Sequence, residues 1–184
     1  MPTLSLPASV QNFAVKYSDH LQVAIFLQAL VAMLGSLYFS NYGNPIDNLK
    51  EGIFFHSYGG FEPCPLCWWA RILMYPTVLV SAVGLLTQDK KFPRYTLAFA
   101  IPGIVLESYH YAIQKLPNVS IQPCSLNNPC SGSYINYFGF ITIPFLCLVA
   151  FFIIGTISAI VILAEKSPKA VSQTQLKKIK PTQK

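Results

Sequence analysis

Four long apolar segments separated by polar connections dominate the pattern of this 184-residue chain. The first, residues 21–40, contains no charged residue, and a helix of that length crosses about 30 Å of hydrocarbon. Apolar length predicts membrane-spanning helices at about residues 21–40, 68–87, 95–111 and 138–164, of which the second is apolar except for Arg71 and the third except for Glu107 and His110. The predicted fold is therefore an all-α membrane protein, a four-transmembrane-helix bundle occupying residues 21–164.

Two features of these segments allow other interpretations. A cleavable signal peptide is the alternative for residues 21–40, but its apolar region would be only roughly 7–15 residues long. Prolines inside three of the segments would break soluble helices, whereas in a membrane the neighbouring helices can satisfy the freed carbonyl groups. We therefore interpret these prolines as kinks: Pro76, Pro102 and Pro144.

Basic residues are distributed unevenly among the polar segments. The N-terminal segment 1–20, the connection 88–94 and the basic tail 165–184 together carry ten lysines and arginines, whereas the connections 41–67 and 112–137 carry one each. Lysine and arginine accumulate on the cytoplasmic side of membrane proteins. The distribution predicts that both termini are cytoplasmic and that 41–67 and 112–137 are extracytoplasmic loops.

Composition agrees with a lipid environment. Hydrophobic residues make up 53% of the chain and charged residues only 11%, whereas about a quarter of the residues of a soluble domain are charged. The net charge of +6 would suit a nucleic-acid-binding protein if the basic residues lay along a folded surface. Six of them lie in the tail instead, so we expect membrane lipid as a partner and no nucleic acid.

The first cysteine pair, Cys64 and Cys67, forms a Cys-x-x-Cys motif at the outer mouth of the second predicted span. A thiolate there benefits from the positive end of the helix dipole. Arg71 follows one turn deeper on the face of Cys67. A charge inside the membrane costs roughly 2.5–3.5 kcal/mol at mid-span and less near the boundary. Two other interpretations leave this arginine unexplained. One is a static disulfide, and the other is half of a zinc site completed by the second pair or by His56 and His110. Redox chemistry is the favoured interpretation, and no metal is expected.

The second pair, Cys124 and Cys130, lies in a polar, turn-rich loop that offers no obvious core to bury it. An exposed disulfide closing so short a loop is expected to be labile and to exchange, although a plain loop staple is the competing interpretation. The remaining cysteine, Cys147, lies mid-membrane among apolar residues and is assigned no role.

Other polar and aromatic residues lie near the outer boundary of the predicted spans. Glu107 and His110 form an i, i+3 pair in the third span at a depth similar to that of Arg71, and we expect the carboxylate to offset the charge of Arg71. Trp68 and Trp69 are expected to belong to an interfacial aromatic belt, with the wall of a flat ligand site as the alternative.

At these motifs the sequence resembles the DsbB family of disulfide bond formation proteins, most closely its short Gram-positive-type branch, BdbC. The resemblance covers the chain from about the first span to the fourth. It rests on residues 61–76, on Tyr109-His110-Tyr111, on Cys124 and Cys130, and on residues 139–145.

The resemblance implies a quinone-dependent protein-disulfide oxidoreductase in the bacterial plasma membrane. It would reoxidise an extracytoplasmic thioredoxin-like thiol oxidase, DsbA- or BdbD-like, and pass the electrons to menaquinone or ubiquinone. In the family scheme Cys124 would form a mixed disulfide with the partner, Cys130 would attack Cys64, and Cys67 would be released as the thiolate facing the quinone. Arg71 matches the family arginine beside the quinone.

Two other functions are left open. The vitamin K epoxide reductase group also uses two cysteine pairs on a helical bundle, but its membrane-proximal Cys-x-x-Cys belongs to a later helix. A non-catalytic membrane adaptor with two structural disulfides is the alternative from another class.

Overall fold

The computed structural model describes residues 7–50, 60–116 and 130–165. Their helices are, in chain order, α1 (Ala8–Lys16), α2 (Ser18–Tyr42), α3 (Pro45–Lys50), α4 (Pro65–Leu86), α5 (Phe92–Lys115) and α6 (Ile143–Glu165). The long helices α2 and α5 each pack against both α4 and α6, and α1 lies against α6. The four long helices therefore form a bundle, and the short helices α1 and α3 are additions that the apolar pattern did not predict.

Three of the four long helices, α2, α4 and α6, are long and apolar enough to cross a membrane. The 24-residue helix α5 is not among them, and it carries Arg94 and Lys115 near its ends and Glu107 within it. The all-helical prediction is confirmed for the described ranges, which contain no β-strand. The four-span count and the cytoplasmic termini stay predictions.

Helix α6 begins at Ile143 rather than at the predicted Phe138. Phe138 and Gly139 have φ values of 54° and 78°, and a backbone bridge between Tyr137 and Ile141 closes the turn that contains them. Pro144 is consequently the second residue of α6, where a missing N–H costs no helical hydrogen bond. The expected kink at Pro144 is therefore wrong, because this proline lies at the helix start.

The core of the bundle lies between the four long helices. Its buried apolar residues are Ile25, Ala29, Met74, Val78, Phe92, Ala100, Ala150, Phe151 and Ile154. Gly103 lies so close to Phe151 that a Cβ atom at this position would be 2.5 Å from the ring. The Thr96 and Ser158 hydroxyls add a buried hydrogen bond of 2.8 Å between the same two helices. This close contact fixes α5, which carries Glu107 and His110, against α6.

Candidate active site

Cys64 and Cys67 lie at the N-terminus of α4. Cys64 is the N-cap residue, and its Sγ accepts a hydrogen bond of 3.4 Å from the backbone N–H of Cys67. Pro65 occupies the first helical position, where its fixed φ favours helix initiation. The two sulfur atoms are 3.0 Å apart, and both thiols are free. A disulfide bond is about 2.0 Å long, so the pair needs only a small adjustment to close one.

Within the reduced pair, Cys64 is the thiol that ionises. The Cys67 thiol donates a hydrogen bond to Cys64 Sγ and is the main cause of a Cys64 pKa lowered to about 4. Burial opposes this shift, while His110 and the backbone N–H of Cys67 reinforce it. Because thiolates are the reactive species in disulfide exchange, the lowered pKa favours Cys64 as the more reactive thiol of the reduced pair.

His110 and Glu107 stand behind Cys64 on α5. His110 Nε2 is 3.7 Å from Cys64 Sγ, and His110 Nδ1 is 3.5 Å from Glu107 Oε2. Both residues are only 1% exposed, which makes them a buried, connected pair. The expectation that Glu107 offsets the charge of Arg71 is wrong, because the carboxylate faces the imidazole instead. Its i, i+3 spacing to His110 in an apolar segment was the sequence signal for this pairing.

Arg71 is held by the facing helix α2. Its Nε donates to Ser36 Oγ at 3.0 Å, its Nη2 donates to the Ser36 carbonyl at 3.3 Å, and Nη2 also donates to Ser40 Oγ. The Trp68 ring lies 5.2 Å from the guanidinium carbon. These contacts are with uncharged groups, so they position the guanidinium without neutralising its charge.

A cavity, open at its mouth, lies between α2, α4, α5 and α6. The residues that line it include Cys67, Arg71 and His110, together with apolar side chains such as Phe39, Met74 and Phe151. The space is therefore mostly apolar, with two cysteines, one arginine, one histidine and two glutamates among the residues of its wall.

The cavity bears on two sequence-based assignments. Cys147, to which the sequence assigned no role, contributes to the wall. Trp68 and Trp69 are 55% and 58% exposed and do not line this cavity, so it gives no support to the alternative that they wall a flat ligand site. Their outward position suits the aromatic belt.

The second cysteine pair is represented by Cys130, which is disulfide-bonded. Cys124 lies outside the described residues. Cys130 is only 2% exposed and belongs to one apolar cluster with Cys64, Leu66 and Ile113. The expectation of an exposed disulfide is therefore wrong for Cys130, because packing against α4 and α5 buries it beside the first pair.

Aromatic stacking ties the segment after Cys130 to the loop before Cys64. The Tyr134 ring stacks on Phe61 at 4.7 Å between centroids, and the Tyr134 hydroxyl donates to the Glu62 carbonyl at 2.8 Å. Phe61 also donates its backbone N–H to the Phe39 carbonyl of α2 at 2.9 Å. The two cysteine-bearing segments are thus held together at one end of the bundle.

A metal could contact part of this site. The sulfur atoms of Cys64 and Cys67 and a ring nitrogen of His110 all lie within 4.8 Å of one another. A structural zinc site needs four ligands. These three therefore form an incomplete set within the described residues, and His56 lies outside them.

Comparisons with known proteins place these features in a family context. The model of the family "Disulfide bond formation protein DsbB" matches residues 49–161. Disulfide bond formation protein C of Bacillus subtilis is 46% identical over 132 residues, 71% of this chain and 84% of the relative. The probable disulfide formation protein C of Halalkalibacterium halodurans is 43% identical over 148 residues, 80% of this chain and 96% of the relative. No solved structure matches the chain significantly.

Proposed function

The chain belongs to the DsbB family of membrane disulfide oxidoreductases, and we propose that it reoxidises a thioredoxin-like thiol oxidase outside the cell membrane and passes the electrons to a membrane quinone. Disulfide formation in exported proteins is the process that this reaction would support. The observation that supports this proposal most directly is that the Cys64–Cys67 pair lies between two different environments. Cys64 packs in one cluster with Cys130, and Cys67 lines the apolar cavity beside Arg71.

The residues of the cavity fit a quinone. A flat, largely apolar ring with two carbonyl oxygens needs apolar walls and a few well-placed donors. Phe39, Met74 and Phe151 supply such walls, and Arg71 supplies charged N–H donors held by α2. We assign Arg71 and Cys67 to its binding. A bound quinone would supply a two-electron acceptor.

We assign the thiol exchange to two cysteine pairs. The partner's thiolate attacks Cys124 of the Cys124–Cys130 disulfide, which forms a mixed disulfide and releases Cys130 as a thiolate. The Cys130 thiolate then attacks Cys64 of the Cys64–Cys67 disulfide and releases Cys67 as a thiolate at the cavity. Each step breaks one disulfide and forms another, so two electrons move without a free radical. The shared burial of Cys130 and Cys64 supports the second attack.

Reconstitution tests the reaction. The purified full-length chain in lipid nanodiscs is supplied with a reduced thioredoxin-like oxidase and with menaquinone or ubiquinone. We expect the loss of quinone absorbance to match disulfide formation in the partner. We expect Cys67→Ser to abolish quinone reduction, because no thiolate then faces the cavity. A non-catalytic adaptor predicts no quinone reduction, and that result would refute the proposal.

The orientation is proposed from the basic residues alone, with Cys64, Cys67, Cys124 and Cys130 on the extracytoplasmic side. A membrane-impermeant thiol reagent added to reduced intact cells is expected to label Cys124. Ser167→Cys, in the basic tail, provides the matched control and should be labelled only after lysis. The opposite pattern would reverse the topology.

A further inference from the structure

A buried carboxylate–imidazole pair lies beside the nucleophilic cysteine of α4. We propose that His110 is the proton acceptor of the Cys64 thiol and that Glu107 is the positioning residue that orients His110 and balances its positive charge. The proposal deepens the thiol-exchange function and rests on it. It adds a catalytic residue and a positioning residue to the four cysteines and Arg71.

The geometry assigns a different role to each nitrogen of the His110 ring. Nδ1 faces Glu107 Oε2 at 3.5 Å, and Nε2 faces Cys64 Sγ at 3.7 Å. A proton on Nδ1, directed at the carboxylate, leaves Nε2 as the acceptor for the thiol proton. Activated nucleophiles generally combine a nucleophilic atom, here sulfur, with a base and with a group that orients the base. The Nδ1 contact is at ion-pair distance and is not a formed hydrogen bond, because Nδ1 has no hydrogen-bond partner among the described residues.

Because Glu107 and His110 are buried together, opposite charges on the two side chains are favoured. Glu107 and His110 are each 1% exposed, and Glu107 Oε1 has no hydrogen-bond partner among the described residues. An isolated carboxylate is very costly in such a place, whereas a carboxylate beside an imidazolium is partly compensated. Protonation of His110 by Cys64 would therefore supply the cation that the carboxylate lacks.

The proposed step transfers one proton and no electrons. The Cys64 S–H bond breaks, its electron pair stays on Sγ, and the proton bonds to His110 Nε2. The product is a thiolate beside an imidazolium that faces Glu107 on its other edge. The same imidazolium stabilises Cys64 when Cys64 is the leaving group in exchange with Cys130, because a nearby cation favours the thiolate.

Other titratable or charged groups face this site and must be controlled. Cys67 and Arg71 of α4 and Cys147 of α6 share the cavity wall with the pair. Tyr134 and Glu62 reach the same region from the segments that precede α6 and α4. A pH profile of the wild-type chain would therefore mix several ionisations, so the test needs Cys64 as the only thiol.

The experiment measures alkylation of Cys64 by iodoacetamide against pH. The full-length chain carries serine at Cys67, Cys124, Cys130 and Cys147 and is kept in nanodiscs. We expect Glu107→Gln and His110→Gln each to move the midpoint of the rate profile up by about one pH unit. Glu62→Gln removes another carboxylate of the cavity wall, one that the segment before α4 carries rather than α5. It is the matched control and should leave the midpoint in place.

An unchanged midpoint in both Glu107→Gln and His110→Gln overturns the proposal, and so does an equal shift in Glu62→Gln. The second measurement avoids variants that misfold, because it reads the His110 tautomer by ¹⁵N NMR in the wild-type chain. We expect a proton on Nδ1, and a neutral ring protonated only on Nε2 would overturn the assignment. Neither experiment needs a quinone or a partner protein, so their failure is distinguishable from failure of the proposed electron transfer.

Discussion

Replacing Arg71 with alanine is expected to separate the proposed quinone binding from thiol exchange. The guanidinium lies in the cavity wall with Cys67 and is positioned by Ser36 and Ser40 of α2. Nothing in the described geometry brings it to Cys130, which packs in the cluster around Cys64. Arg71→Ala should therefore weaken the quinone step and leave exchange between the cysteine pairs largely intact.

The magnitude follows from the hydrogen bond that would be lost. A bond from the Arg71 guanidinium to a quinone carbonyl is charge-assisted and contributes about 1.5–3 kcal/mol. Since 1.4 kcal/mol corresponds to a factor of ten, we expect the KM for quinone to rise roughly ten- to hundredfold. Arg71→Lys keeps the charge but loses the planar fork that binds both Ser36 and Ser40, so its KM should fall between those of the wild type and Arg71→Ala.

The assay is steady-state turnover with a reduced thioredoxin-like partner at varied quinone concentration, combined with mass spectrometry of quinone that copurifies with each variant. Arg94→Ala is the matched control, because this other arginine is half-exposed at the start of α5 and its carboxylate partner is Glu165 at 3.9 Å. An unchanged quinone KM in Arg71→Ala would remove this residue from the site. An equal rise in Arg94→Ala would assign the effect to bulk charge.

Three further outcomes follow from the geometry. Cys130→Ser should accumulate a mixed disulfide with the oxidised partner on non-reducing gels and Cys124→Ser should not, whereas equal trapping would contradict the ordered relay. In a reduced chain that keeps Cys64 and Cys67 and carries serine at Cys124, Cys130 and Cys147, alkylation of Cys64 should stay constant from neutral pH downward and decline only as the pH approaches its pKa of about 4, since protonation removes the thiolate. Gly103→Ala would place a methyl group 2.5 Å from an aromatic ring and should destabilise the chain by about 1–3 kcal/mol in thermal unfolding, whereas Gly35→Ala, with open space around it, should not.

Local sequence patterns predicted the elements that depend on local physics. Uncharged apolar length indicated α2 and α6, and the apolar run from Trp68 predicted a helix with Cys64 at its mouth, which the N-cap geometry bears out. The start of α6 was predicted too early because Phe138 is as apolar as a helical residue, and only its positive φ reveals the turn.

The sequence pattern could not predict contacts between segments that are distant along the chain. Glu107 and His110 were recognised as a polar pair, but their approach to Cys64 depends on how α5 packs against α4. The burial of Cys130 has the same origin, because a polar loop sequence carries no sign that one of its cysteines enters an apolar cluster. Residues that act together through tertiary packing leave only a weak signal in one sequence.

The spacing of Cys124 and Cys130 raises the question of how far this short loop can move during exchange. The arrangement of Cys130 reduces the required movement, because its sulfur is already buried in the cluster that contains Cys64. Tyr134, stacked on Phe61 and bonded to the Glu62 carbonyl, holds the following segment against the loop before Cys64. On the proposed path, the partner therefore has to reach only Cys124, while the transfer from Cys130 to Cys64 proceeds inside a packed site. A short loop suits this arrangement, in which Cys124 meets the partner and Cys130 stays beside Cys64. A longer loop would lose more entropy each time its cysteine was ordered beside α4.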